Sequence, residues 1–397
     1  MKIIKQTKQL VALILFAIIL YSCSQNNESE LNLEQKSNSF INESLANKIA
    51  NNVLFNTNSE SKSTIQKGRK IKEVFPVKDE KKEILFYIIN YEKEGFLILS
   101  ADNRVSPVLA YSENNEFRTN LKSYYSGLSD WLLSTKKVIE TIKIKGLKQS
   151  KEIKLEWDRF LSEGYVLNQT ESNPCGEEIE KIGPLLTTEW GQGCGYNSSM
   201  PFIECETESV GISCGRAVAG CVPLAIAQVM KYHNYPEDYN WSYMDDNRGS
   251  LSTSNLIGDI HNAFGNRIDY LCFGTAAPSR YVDRVFKNHF NYSSAKRSNY
   301  DIATVKQELR LNRPVILSGT ETDEEYSHMW VCDGLIRKKI CYIDVNGNTV
   351  VYPYGASLMF HMNWGWDGTE NGWFSFQNFN PNDTYNIRTK MIYEIKP

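Results

Sequence analysis

The 397-residue chain has almost no net charge to offer a partner: 44 lysines and arginines face 47 acidic residues, for a formal charge of -3. That balance excludes the broad positive field that would draw nucleic acid or an anionic membrane. A membrane-crossing run is missing too, since the apolar stretch at residues 10–20 is too short to span a bilayer. Metal-ligand spacing is equally absent. Cys205 and Cys214 lie too far apart for a two-residue knuckle, and no histidine pair sits three to five residues apart near them. Neither a metal nor an organic cofactor is expected.

What is present begins with an export segment. Lys2, Lys5 and Lys8 precede the apolar run, which closes on Tyr21-Ser22-Cys23, the order of a secretory signal. Leu20-Tyr21-Ser22-Cys23 also resembles the bacterial lipobox. That implies a signal peptide over residues 1–22, lipid on the Cys23 thiol, and a lipoprotein of the outer envelope or cell surface, or one released after processing. An ordinary signal peptide cut nearby is the alternative. The lipid on Cys23 is then the protein's contact with a membrane. Residues 23–39, rich in Ser, Asn, Gln and Glu, read as a polar tether.

Export changes how the nine cysteines are counted, because an oxidising compartment permits disulfides. Cys194, Cys205 and Cys214 crowd into one loop ahead of Cys221 and are placed to staple it, with Cys175 as a further candidate; the sequence does not fix the pairing. Cys332, inside an apolar strand pattern, reads as a buried free thiol.

Two domains are expected. Residues 40–165 read as a small α+β unit: a helix from Ile41, Leu45, Ile49, Val53 and Leu54, strands at residues 74–77, 84–91, 95–100 and 107–111, then a helical, lysine-dense stretch. This unit has no nucleophile, acid pair or metal cluster. Residues 166–181 form a polar linker, and residues 182–397 a second α+β domain with a helical half and an antiparallel half, hence a seam where a cleft can form. Helices are expected after Cys221 and at residues 281–290 and 302–311, and separate strands at residues 314–318, 328–333, 340–344, 349–352, 360–363 and 372–376.

The chemistry gathers in the second domain. After Cys221 the apolar residues Val222, Ala225, Ile226, Val229 and Met230 fall at helical spacing, so Cys221 opens a helix behind Gly220. A thiol there feels the positive end of the helix dipole, which favours thiolate. Downstream, His328 starts a strand whose alternation puts His328, Trp330 and Cys332 on one face. An imidazole can take the thiol proton and later give it to a leaving group. An Asn amide or a backbone carbonyl shielded by indole, as in Asn363-Trp364-Gly365-Trp366, can hold that imidazole in one orientation. Gln192, between Gly191 and Gly193, offers an amide donor that with the cysteine N–H would make an oxyanion hole.

In order, Trp190-Gly191-Gln192, Gly220-Cys221-Val222, Ala227-Gln228-Val229-Met230-Lys231-Tyr232-His233, the segment from His328 and Asn363-Trp364-Gly365-Trp366 resemble the motifs of the streptopain family of bacterial cysteine proteases. Phe86-Tyr87-Ile88-Ile89-Asn90 and Gly95-Phe96-Leu97-Ile98-Leu99-Ser100 are similar to that family's inhibitory propeptide. The resemblance implies a papain-like catalytic fold, peptide-bond hydrolysis on protein or peptide substrates, and a zymogen whose own propeptide blocks the site. It also implies Cys221 as nucleophile, His328 as base, Gln192 in the oxyanion hole, and Asn363 and Trp364 orienting and shielding the histidine. Two features depart from the pattern. Pro223 and Leu224 stand where small residues are usual, and residues 199–218 look like an elaboration of the cleft rim. His233 and His361 read as structural. The rival readings are a transglutaminase-like acyltransferase and a catalytically silent surface binding or inhibitor lipoprotein.

Overall fold

The computed structural model describes residues 39–57, 64–65, 68–120, 126–161, 166–167, 180–204, 214–271, 274–319, 328–343, 349–376 and 390–397. The export segment, the tether through residue 38, and Cys23, Cys175 and Cys205 lie outside them. No helix among the described residues is long and apolar enough to cross a membrane.

The first unit starts with helix α1, Glu43–Asn52. The Asn42 side chain caps it by accepting the Leu45 N–H at 2.9 Å, which satisfies one of the donors a helix start leaves open. Its buried face, Ala46, Ile49 and Ala50, lies on a meander of four strands: β1 Ile71–Lys78, β2 Ile84–Tyr91, β3 Phe96–Ser100 and β4 Val108–Ser112. Gly95, at φ 94°, supplies the left-handed residue in the turn between β2 and β3. The lysine-dense stretch divides into two helices, α2 Ser126–Ile144 and α3 Lys151–Phe160, and Gly146 at φ 59° stands between them. Helix α2 buries Leu128, Trp131, Leu132, Ile139 and Ile142.

The second unit contributes β5 Glu180–Ile182, helices α4 Cys221–His233, α5 Leu251–Phe264, α6 Val282–His289 and α7 Ile302–Arg310, and strands β6 Ser294–Asn299, β7 Val315–Gly319, β8 His328–Ile343, β9 Thr349–Asn363, β10 Gly372–Ser375 and β11 Lys390–Lys396. Strands expected as separate pieces merge. The pieces at 328–333 and 340–344 form one strand, β8, and those at 349–352 and 360–363 form another, β9. The two pair from Val331 with Asn363 to Ile343 with Thr349, and register shifts at Cys332/Gly334 and Lys339/Cys341 absorb the irregular residues.

Both units share one antiparallel sheet in the order β6-β11-β7-β8-β9-β10-β4-β3-β2-β1, with β5 also bonded to β8. The junction is β10 against β4, where Trp373 pairs with Tyr111 and Phe374 with Ala110. Two of the apolar clusters straddle it. On one face Phe86, Phe96, Leu128 and Trp131 of the first unit pack with Trp330, Met362, Trp364 and Phe374 of the second. On the other, Tyr87, Leu97, Tyr111 and Trp157 pack with Ile336, Met359 and Trp373. A third cluster, built on α4, α5 and α6, belongs to the second unit alone. The burial of so many aromatic side chains across the junction is what holds the first unit against the second.

Candidate active site

Cys221 is the first residue of α4 and is a half-buried free thiol. The turn before it requires glycine twice over: Gly220 sits at φ 84°, and a Cβ there would lie 2.8 Å from the Thr275 carbonyl oxygen. The helix proceeds regularly through Pro223, with the Leu224 N–H on the Gly220 carbonyl at 3.1 Å, so the bulky pair after the cysteine leaves the first turn intact. Leu224 has a counterpart. Gly365, at φ 76°, approaches it so closely that a Cβ would meet Leu224 Cδ2 at 2.8 Å. The nucleophile helix and the tryptophan turn are thus fitted side to side.

His328 opens β8, and the backbone N–H of the next residue, Met329, reaches the Cys221 sulfur together with those of Val222 and Cys221 itself. Nucleophile and imidazole are therefore neighbours. The His328 ring is sandwiched between two indoles, Trp330 at 5.9 Å and Trp366 at 5.4 Å, each within about 20° of parallel. The Trp364 backbone carbonyl faces the ring as an acceptor and favours its charged form.

Asn363 spends its amide elsewhere. Its Nδ2 donates to the Thr188 carbonyl at 2.6 Å, and its Oδ1 accepts from Gln228 Nε2 at 3.3 Å and from the Gly365 N–H at 3.2 Å. Gln228 Oε1 in turn accepts the Thr188 hydroxyl at 2.9 Å. This buried triangle ties the segment leading to Gln192, the nucleophile helix and the tryptophan turn together. Asn363 positions the turn, and the turn's carbonyl faces the imidazole. Trp364 is held on both sides, its N–H by Asn371 Oδ1 at 2.8 Å and its Nε1 by the Glu370 carbonyl at 3.0 Å.

Gln192 is buried, and its Nε2 has no hydrogen-bond partner among the described residues. A buried amide donor left open is costly unless something arrives to use it. Its backbone carbonyl accepts the Ala219 N–H at 2.9 Å, which lays it beside the turn into Cys221. A disulfide joins Cys194 to Cys214, and the N–H groups of Ile203 and Ala217 bond to the carbonyls of Gly215 and Pro201. Cys332 is buried and free. His233 and His361 turn to other partners, Tyr292 and Asp333. No cluster able to hold a metal occurs among the described residues.

The first unit packs against the wall of this site. Gly127, at the start of α2, lies so close to Trp330 that a Cβ would meet its ring at 2.5 Å. Burial sets the electrostatics of the pair. It pushes the Cys221 thiol above its ordinary value despite the three N–H groups, and it brings His328 down to about 4. Burial here works against the thiolate that a helix start favours. Sequence reasoning did not assign roles to Trp330 and Trp366, although Trp330 shares the His328 face of the strand and Trp366 follows Trp364 by two residues.

Residues 190–243 and 237–374 match the Peptidase C10 family, and residues 38–139 match the Spi protease inhibitor family. The thiol protease/hemagglutinin PrtT of Porphyromonas gingivalis is 25% identical over 348 residues, covering 76% of this chain, which spans 35% of that relative. Streptopain of Streptococcus pyogenes is 24% identical over 344 residues, 74% of each chain. A solved fragment of prointerpain A from Prevotella intermedia has the same fold, with a TM-score of 0.53 at 20% identity, over 82% of this chain and 99% of the fragment. The chain belongs to the Peptidase C10 family of streptopain-type cysteine proteases, as a zymogen-type member with a Spi-inhibitor-like domain ahead of its catalytic domain.

Proposed function

We propose that the protein is an exported cysteine endopeptidase in which Cys221, His328 and Gln192 carry the reaction and Trp364, backed by Asn363, keeps the imidazole in place. The observation that carries this reading is the contact of the Cys221 sulfur with the N–H next to His328, at the start of a helix and beside the open Gln192 amide. Once the site is uncovered, His328 takes the thiol proton and the sulfur attacks the substrate carbonyl. The carbonyl oxygen gathers negative charge and is met by Gln192 Nε2 and the Cys221 N–H. When the C–N bond breaks, the imidazolium gives its proton to the departing amine and an acyl-thioester remains. Water then adds to the thioester as His328 takes one of its protons. The carboxylic acid leaves as the C–S bond breaks, and the thiol is restored.

In the same reading residues 40–165 are the inhibitor, residues 166–181 the linker to the catalytic domain, and residues 1–22 an export signal, with lipid on Cys23. The test follows chain length and hydrolysis of a generic protein substrate for wild type without its signal peptide and for Cys221→Ala. Wild type shortens to a fragment beginning near residues 150–183 and becomes active while the variant stays long and inert. If both remain inert after added protease trims the first unit, the binding-lipoprotein reading replaces this one. Amide transfer to an added amine in place of hydrolysis would favour the acyltransferase.

A further inference from the structure

His261 lies on α5, far from the motifs that carry the reaction, and is 4% exposed. Its Nε2 is 2.7 Å from the Ala219 carbonyl oxygen, and its Nδ1 is 3.0 Å from the Tyr270 hydroxyl, with the two rings stacked at 5.6 Å. A carbonyl only accepts, so Nε2 carries the proton and Nδ1 accepts the tyrosine O–H. Burial keeps the ring neutral and so keeps this arrangement.

Ala219 is the joint between the two halves of the oxyanion hole. Its N–H holds the backbone of Gln192 at 2.9 Å, and its carbonyl belongs to the peptide that leads through Gly220 into Cys221. Gly220, without a side chain and at positive φ, offers little resistance to rotation of that peptide. The next contact upstream, Thr275 Oγ1 on the Val218 carbonyl at 2.5 Å, fixes the preceding peptide but not this one.

The geometry points to His261 as a positioning residue for the reaction: by clamping the Ala219–Gly220 peptide it sets the Cys221 N–H, one peptide further on, at the spacing from the Gln192 amide that a developing oxyanion needs. This inference rests on the proposed cysteine-protease function. Without the clamp the peptide rocks, and the two donors lose alignment while the thiol and the substrate groove stay in place. A misplacement of about 1 Å in such a site can cost on the order of 100-fold in rate.

The test uses the full chain after activation, with His261→Met, His261→Gln and His261→Asn. A Gln amide can reach the Nε2 position and donate to the carbonyl; Met fills the space without donating; Asn reaches only the Nδ1 position. The expected result is a kcat for His261→Met and His261→Asn lowered about 10- to 100-fold with KM nearly unchanged, and kcat for His261→Gln restored to within a few-fold of wild type. Alkylation of Cys221 by iodoacetamide, which displaces iodide at carbon and forms no oxyanion, stays near the wild-type rate in all three. Equal kcat in the Gln and Asn variants overturns the proposal, as does a parallel fall in alkylation or a change confined to KM. Should His261→Met not fold, the Gln and Asn pair decides alone. An inactive wild type would instead sink the protease reading.

Discussion

Arg118 of the inhibitor-like unit and Glu370 of the catalytic unit are joined by two parallel bonds, Nε to Oε1 at 2.7 Å and Nη2 to Oε2 at 2.6 Å, and the Glu370 side chain is 1% exposed. The Arg118 N–H adds a third bond to Oε1 at 3.1 Å. The Glu370 carbonyl meanwhile accepts from Trp364 Nε1, and the Trp364 backbone carbonyl faces His328. One residue of the inhibitor-like unit is therefore linked through a short chain of contacts to the imidazole proposed as the base.

Arg118→Ala leaves that carboxylate buried without its cation. We expect the full chain to lose about 3 kcal/mol of stability, the lower end for breaking a buried pair because a third of the Arg118 side chain faces solvent. Urea unfolding measures it, and the variant is expected to shorten and activate sooner than wild type. An unchanged midpoint and an unchanged activation time would show that the pair contributes nothing to the closed form.

Gln192→Ala removes the open donor. Loss of one oxyanion donor lowers kcat by on the order of 100- to 1,000-fold, with KM little changed. Steady-state kinetics on the activated enzyme separate this from a binding role, in which KM alone would rise.

Acid is expected to loosen the full chain. Burial brings His233, His261 and His328 each to about 4, against an ordinary imidazole value near 6.5. The unfolded chain thus binds about three more protons than the folded one near pH 5, and stability present above pH ~6.5 is lost as pH falls toward ~4. Proton uptake on unfolding measures this directly. His233→Gln, at the site bonded to the Tyr292 hydroxyl, is expected to lower the uptake by about one proton. An uptake unchanged by His233→Gln would mean the His233 ring is already charged in the fold.

Local pattern carried much of this architecture. The helix behind Cys221 follows from apolar residues at helical spacing, and the meander of the first unit and the strand of His328 from apolar runs bounded by turn residues, which the fold buries on both faces. The long strands β8 and β9 were not legible. Arg337, Lys338 and Lys339 read as a break, and pairing with Leu358, Ser357 and Ala356, joined at Arg337 by Glu180, keeps them in the sheet. Helix α5 is absent from the sequence reading because its apolar residues Leu256, Ile257, Ile260 and Phe264 are diluted by polar neighbours and Gly258. Within the site, the order of Gln, Cys, His and Asn along the chain pointed to residues whose segments the fold brings next to one another. The redirected Asn363 amide was not legible, since Thr188 lies 175 residues away and competes for it. Nor was the Arg118 clasp on Glu370, 252 residues distant.

We propose that the inhibitor-like unit, packed on Trp330 beside His328, disfavours the charged forms of Cys221 and His328, and that its removal lets them form an ion pair. The direct measurement is the rate at which iodoacetamide alkylates Cys221 as a function of pH, read by peptide mapping, before and after the first unit is cleaved away. The account predicts slow alkylation of the full chain at neutral pH, rising only under alkaline conditions, and at least about tenfold faster reaction at pH ~7 after cleavage, because the thiolate no longer bears the desolvation cost. Equal rates with the same pH profile in both forms would contradict it.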